Sequence, residues 1–275
     1  MPDISPLALA KQDSQFRNFL KKLSYLNKDK LSRDEQISLL IQQRQLQNDI
    51  DLYQFNAHYM PLTSESSFHS GLAFFTRSSC FKTLNDYQNY LSRLEQFPLY
   101  FEQQINWMRK GIQTGFIQPK VVLKGFEDSV KAFIKNTPED SVFYAPFKNY
   151  KDANVDLIQK QKLTEHASLI VAEHVFGAYQ TFYNFLVTEY IPKSKSNIAA
   201  KSLPNGIAYY QNRSDFYTTT QMSVHDIHFL SLEEVNVFAV KCKQSLINSS
   251  LMAILTSSYD IYGLIKGFMR KQKAN

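Results

Sequence analysis

The chain has 275 residues with 44% hydrophobic and 20% charged side chains, a pattern of a folded globular protein with a large core. Its net charge of +6 is spread among acidic residues, except at Lys266, Arg270, Lys271 and Lys273, and no nucleic-acid motif spacing appears, so nucleic acid is not expected as a partner. Two cysteines, Cys80 and Cys242, exclude a disulfide framework and read as buried free thiols; no apolar run is long enough to span a membrane.

The N-terminal MPDISPLALAKQDSQF lacks the apolar core of a signal peptide, which leaves localisation open, cytoplasmic by default. Ser32-Arg33-Asp34-Glu35 is a capping box, in which the serine caps and the glutamate reaches back. Ile37, Leu40, Ile41, Leu46, Ile50 and Tyr53 follow at helical spacing. From Asn56 to Lys82 the period is lost, and this aromatic stretch reads as a long packed connection. Thr83 to Asp86 offers another cap, and Leu84, Tyr87, Leu91 and Leu94 line one helical face. After Pro98, Phe101, Ile105, Met108 and Ile112 step by four, three and four. Gly111 and Gly115 lie near that helix's end, and Pro119 restarts the chain into Val121 to Ile134.

Asn136 to Tyr150 reads as a loop. The clearest helix runs from about Asp156 to Tyr190, with Val171, Val175, Ala178, Phe182 and Phe185 forming a sustained stripe that Pro192 ends. Lys193 to Asn205 is a loop, Gly206–Thr218 and Ser223–Leu230 are short helices, and Ser231 starts another. With only 8 Gly and 9 Pro, the fold class is all-α: an antiparallel multi-helix assembly with a few long loops and at most one short hairpin in the Asn56–Lys82 or Lys193–Asn205 connection.

The words FEQQINWMRKGIQTGFIQP (Phe101–Pro119), FYAPF (Phe143–Phe147), EYIP (Glu189–Pro192), AYY (Ala208–Tyr210), YTTT (Tyr217–Thr220) and IHFLSLEEV (Ile227–Val235) stand in an order and spacing that resemble the bacterial domain of unknown function 885. That resemblance implies a mostly helical, zincin-like metallopeptidase whose zinc ligands, a His-Glu pair and a Gly-His-His run, belong to a C-terminal half. It divides the chain into 1–240, the family-like helical part, and 241–275, a divergent tail. It suggests a truncated or frame-shifted enzyme whose full-length relatives are often exported. The family pattern also places Gly where Ser231 stands, which implies strain there if the backbone needs positive φ.

No HExxH motif occurs, so no catalytic residue and no metal ligand are assigned, and zinc is implied only for full-length relatives. Glu173-His174 lies beside the apolar stripe and reads as structural. His225 and His228 are three apart, a spacing that can place two imidazoles on one helix side; the bland reading, a solvated His225 and a His228 at a helix junction, is favoured over a metal site. Tyr209, Tyr210, Thr219 and His228 are the substrate-cleft candidates, weighed against ordinary packing of tyrosines at helix interfaces. The two functional readings are the helical wall of a metallopeptidase, inactive alone, and a stand-alone peptide- or protein-binding module. Expected partners are a peptide, the C-terminal half, or a second copy through self-association.

Overall fold

The computed structural model describes residues 1–63, 67–150 and 154–248. Among them regular structure is helical, and strand pairing is limited to isolated bridges, Leu62 with Ser67, Thr83 with Asn154, and Pro119 with Lys195. The all-α expectation holds, and two of the bridges involve the connections where short pairings were expected. The chain divides into two compact units, Met1–Tyr209 and Tyr210–Asn275.

In the first unit, α1 (Pro6–Ser24) and α2 (Arg33–Gln54) pack as an antiparallel pair, the start of α1 facing the end of α2. Ser5 caps α1, and the Ser32–Glu35 capping box starts α2 as the sequence indicates. The apolar face of α2 is only partly covered. Leu46 and Ile50 are buried, whereas Ile37, Leu40 and Ile41 are exposed. Leu39, which the sequence did not single out, is buried instead, so early in α2 the packed face is displaced from the expected one; α1 itself contributes no buried residue.

The stretch Asn56–Lys82, expected as a connection, contains a helix, α3 (Phe68–Ser78), capped by Ser67. Its aromatic residues pack on the core from several directions, which hides the helical period. α4 (Leu84–Glu95) begins at a Thr83–Asp86 capping box and buries Tyr87, Tyr90, Leu91 and Leu94. α5 (Phe97–Thr114) carries Pro98 in its first turn, where no backbone donor is lost, and ends at Gly115 with φ +78°. Gly111 is needed for space: a Cβ there would sit 2.7 Å from the Phe116 carbonyl oxygen. The next segment is mostly turns, with one short helix, α6 (Phe126–Lys131), and 3-10 turns at Pro138–Asp140 and Ala145–Phe147 that bury Phe143 and Phe147.

The long helix from Leu157 to Tyr190 is the centre of the unit. It comprises α7 (Leu157–Ile170), a π turn at Val171–Val175, α8 (Phe176–Phe185) and a second π turn at Leu186–Tyr190. Asp156 and Gln159 form its capping box. The predicted stripe, Val171, Val175, Ala178, Phe182 and Phe185, is buried throughout. The stripe and its neighbour Tyr179 meet α3, α5 and the turn after α6: ring centroids lie 4.7 Å apart for Phe68–Phe182, 4.9 Å for Phe101–Tyr179 and 4.8 Å for Phe133–Tyr179. Each such pair contributes roughly 0.5–1.5 kcal/mol beyond area burial. The buried tyrosines keep their hydroxyls satisfied: Tyr90 donates to the Phe143 carbonyl (2.9 Å) and Tyr179 to the His69 carbonyl (2.6 Å).

α9 (Gly206–Thr218) occupies the range read from sequence. α10 (Val224–Asn248) does not. It runs unbroken through Ser231, where two helices were expected to meet. Ser231 is helical, its hydroxyl donates to the Ile227 carbonyl at 2.7 Å, and it has no positive φ, so the expected strain is absent. α10 also continues across position 240 to Asn248; the rest of the 241–275 segment lies outside the described residues. Cys80 is exposed at the end of α3 and Cys242 is half-buried, so the expected burial of both thiols fails.

Candidate functional site

The four cleft candidates fall in both units. Tyr209 belongs to the first, where its half-buried ring meets Phe55 at 5.7 Å and Phe116 at 5.3 Å, both edge-on. This is the packing role weighed for it from sequence. Tyr210, Thr219 and His228 belong to the second unit and are exposed. Among the described residues these three make no hydrogen bond or ring contact with one another.

Local chemistry fixes the turn that carries Thr219. Gln211 donates to the Met222 carbonyl (2.8 Å) and to Asp215 (2.7 Å), while its carbonyl oxygen accepts from the Val224 N–H (2.9 Å). Ser223 then caps α10, accepting from the Asp226 N–H at 3.1 Å and donating to the Asp226 carboxylate at 2.7 Å. Between these anchors Thr219 adopts φ +57°, a left-handed conformation that a β-branched residue rarely takes. The Thr218 and Thr220 hydroxyls are 2.9 Å apart beside it. The YTTT word thus forms a braced, exposed turn with strained backbone.

His225 and His228 do not make a metal pair. The His225 ring lies 4.5 Å from Phe229 and its Nδ1 3.9 Å from Asp226; the His228 ring lies edge-on to Phe229 at 5.7 Å. Among the described residues, no group of three or more His, Cys, Asp or Glu is placed to hold a metal ion. His174 Nδ1 donates to the Glu95 carbonyl oxygen, 3.2 Å away, in keeping with a structural role.

Two histidines that the sequence did not single out have the most perturbed environments. His69 on α3 is 1% exposed. Its Nδ1 faces the Ser67 hydroxyl, and its Nε2 lies 3.1 Å from the Ser129 oxygen. Ser129 donates to the Phe126 carbonyl at 2.6 Å, so it accepts from His69, which fixes the neutral Nε2–H tautomer. Burial lowers the His69 pKa to about 4. Fully satisfied and closed to solvent, this histidine ties α3 to α6 and has no room for a substrate. Neither Ser67, inside the stretch that reads as a connection, nor Ser129, sixty positions from His69, is singled out by the sequence.

His58 follows α2 and sits in an aromatic nest. Its ring meets Trp107 at 4.4 Å, Tyr59 at 4.7 Å and Tyr53 at 5.4 Å. Burial, and then the charge of Lys110, lower its pKa to about 4. A third feature is the two-point ion pair of Arg109 with Glu189, at 3.0 and 2.6 Å, with the guanidinium over the Phe185 ring. It clamps α5 to the end of the long helix and joins two of the words quoted above.

The model of a family described as "Bacterial protein of unknown function (DUF885)" matches residues 1–246. No curated protein matches the chain. Among solved structures, the crystal structure of "the putative lipoprotein from Colwellia psychrerythraea" superposes with a TM-score of 0.72 at 17% identity. The match covers 91% of this chain and 44% of that one, so the chain spans less than half the length of that relative. At this identity the likeness concerns the fold.

Proposed function

The chain belongs to the DUF885 family of bacterial proteins, and on that premise we propose that it is the helical wall of a metallopeptidase-like cleft, whose zinc-binding half is a separate stretch of polypeptide packed against it. The observation that carries this reading is α10. Its described residues include none that is buried, yet it presents Phe229, Leu230, Val235, Val237, Phe238 and Val240 to solvent. A helix gains most of its stability by packing an apolar face, and large exposed apolar surfaces mark interfaces. The share of the solved relative left unmatched is large enough to supply the cover.

In this reading the chain positions and encloses a peptide, and the chemistry is performed elsewhere. Tyr210, Thr219 and His228 offer hydroxyl and imidazole groups for backbone or side-chain contacts. The second reading, a peptide-binding module without catalysis, is favoured by the braced turn at Thr219, because strained backbone collects at binding sites.

The test is a paired assay on the isolated chain: zinc content after dialysis, and turnover and binding of an unbiased peptide library. The wall reading predicts well under one equivalent of zinc and no turnover. Peptide binding that Thr219→Gly abolishes, with no turnover, selects the module. Stoichiometric zinc and turnover, both lost in His225→Ala or His228→Ala, would overturn both.

A further inference from the structure

The sides of α1 and α2 that face each other do not form a continuous apolar seam. Near the start of α1, Gln12, Asp13 and Phe16 point toward Asp49 and Tyr53 of α2, and His58 lies beyond. These side chains line an open pocket of about 450 Å³, within the usual size range of small-ligand sites of roughly 300–1,000 Å³. Spacings of three and four residues place each helix's contribution on one side, where an ordinary helical hairpin would put leucine. Here Leu9, Leu52 and the small Ala57 supply the aliphatic surface.

The two carboxylates differ. Asp13 is held by Arg17 in a two-point contact of 2.7 and 3.1 Å, which neutralises it. Asp49 accepts only neutral amides, from Gln45 at 3.4 Å and Asn48 at 3.3 Å, and among the described residues no cation pairs with it. Phe16 and Tyr53 are among the lining residues, and the π face of such rings attracts organic cations. Lys110, the nearest cation to the nest, lies over the Trp107 ring at 4.4 Å and is not part of the lining. His58 stays neutral above pH about 4 and does not compete for the negative charge.

We propose that the α1–α2 pocket binds an organic cation, an ammonium or guanidinium on an apolar stem, with Asp49 as its counter-charge and the aromatic rings against the stem. This chemistry is common to free alkylamines and to basic side chains of peptides. The pocket is built from residues of the first unit alone, and the proposal does not depend on the wall reading.

Trp107, the only tryptophan, touches His58 at the back of the pocket, so its fluorescence reports occupancy. The experiment titrates the full chain with hexylammonium, Nα-acetyl-lysine amide and, as the uncharged control, hexanol. Saturable quenching or enhancement with a Kd of about 1 mM or tighter is expected for a cation. Asp49→Asn should weaken it by about tenfold or more, as expected for removal of a charged hydrogen-bond partner. Phe16→Ala, at the opposite wall, should weaken it as well and guards against a local defect in α2. Equal affinity of the lysine derivative assigns the site to a peptide side chain; preference for hexylammonium assigns it to a small amine. No saturable response to either cation, an equal response to hexanol, or unchanged affinity in both variants would overturn the proposal.

Discussion

Phe182 is the residue on which most of the core converges. It is fully buried and its ring contacts Phe68 and Phe101. Phe182→Ala should cost about 3–5 kcal/mol in denaturant unfolding, the sum of lost transfer energy and an incompletely filled cavity. A loss below about 0.5 kcal/mol would mean the stripe faces solvent. His69 makes a different prediction. Its folded pKa of about 4 lies below the 6.5 of the unfolded chain, so the unfolded state takes up the proton first as pH falls. The neutral histidine's contribution is present above pH about 6.5 and is lost progressively down to about 4, on the order of 3 kcal/mol in all. His58 adds to the same window, while Glu35 and Asp86, whose carboxyls are held low by their caps, lose their contribution as pH falls through their ordinary values of 4.5 and 3.8 and below. Unfolding midpoints measured between pH 7 and 4 should fall, and His69→Gln should flatten part of that slope; an unchanged slope would show that His69 does not titrate as described. At this scale the sequence disclosed the apolar stripe but not the polar clamps. Phe182 announces itself by periodicity, whereas Ser129, Arg109 and Glu189 find their partners only after distant segments fold together.

Elements were legible where local signals and tertiary packing agree. The capping boxes at Ser32 and Thr83 and the Pro192 stop mark boundaries through backbone chemistry that needs no distant partner. Reading failed at α3, where aromatic residues contact the core on several sides, and at Ser231, which reads along the chain as the start of another helix and lies inside a continuous one. That continuity is testable. Ser231→Pro would remove a backbone donor in the middle of α10 and clash with the preceding turn, at a cost of about 3 kcal/mol or more to the helix. A clear loss of helical circular dichroism is expected. If Ser231 instead began a second helix, proline would be tolerated there and the spectrum would not change. The same exercise at Gly111 has a packing cause: Gly111→Ala forces α5 away from the Phe116 carbonyl and should destabilise by about 1–3 kcal/mol in denaturant titration. Thermal stability equal to the parent would show that the neighbouring backbone gives way easily.

For the whole molecule, composition and periodicity were enough for the fold class, because few Gly and Pro and sustained helical spacing leave little else. Function was not legible in the same way. The candidate residues Tyr210, Thr219 and His228 are exposed side chains on α9, the braced turn and α10, while Tyr209 is packed against Phe55 and Phe116. What they contact depends on polypeptide or ligand that sequence periodicity does not describe. In the proposed reading the first unit is self-sufficient, built around Leu157–Tyr190, whereas α10 awaits a covering partner. Hydrogen exchange on the isolated chain, with its mass in solution measured in parallel, tests this most directly. Amides of α10 from Val224 to Cys242 should exchange far faster than those of Leu157–Tyr190 at concentrations where the chain is monomeric, and become protected only as it self-associates. Protection of α10 equal to that of the central helix in a strictly monomeric protein would contradict the account.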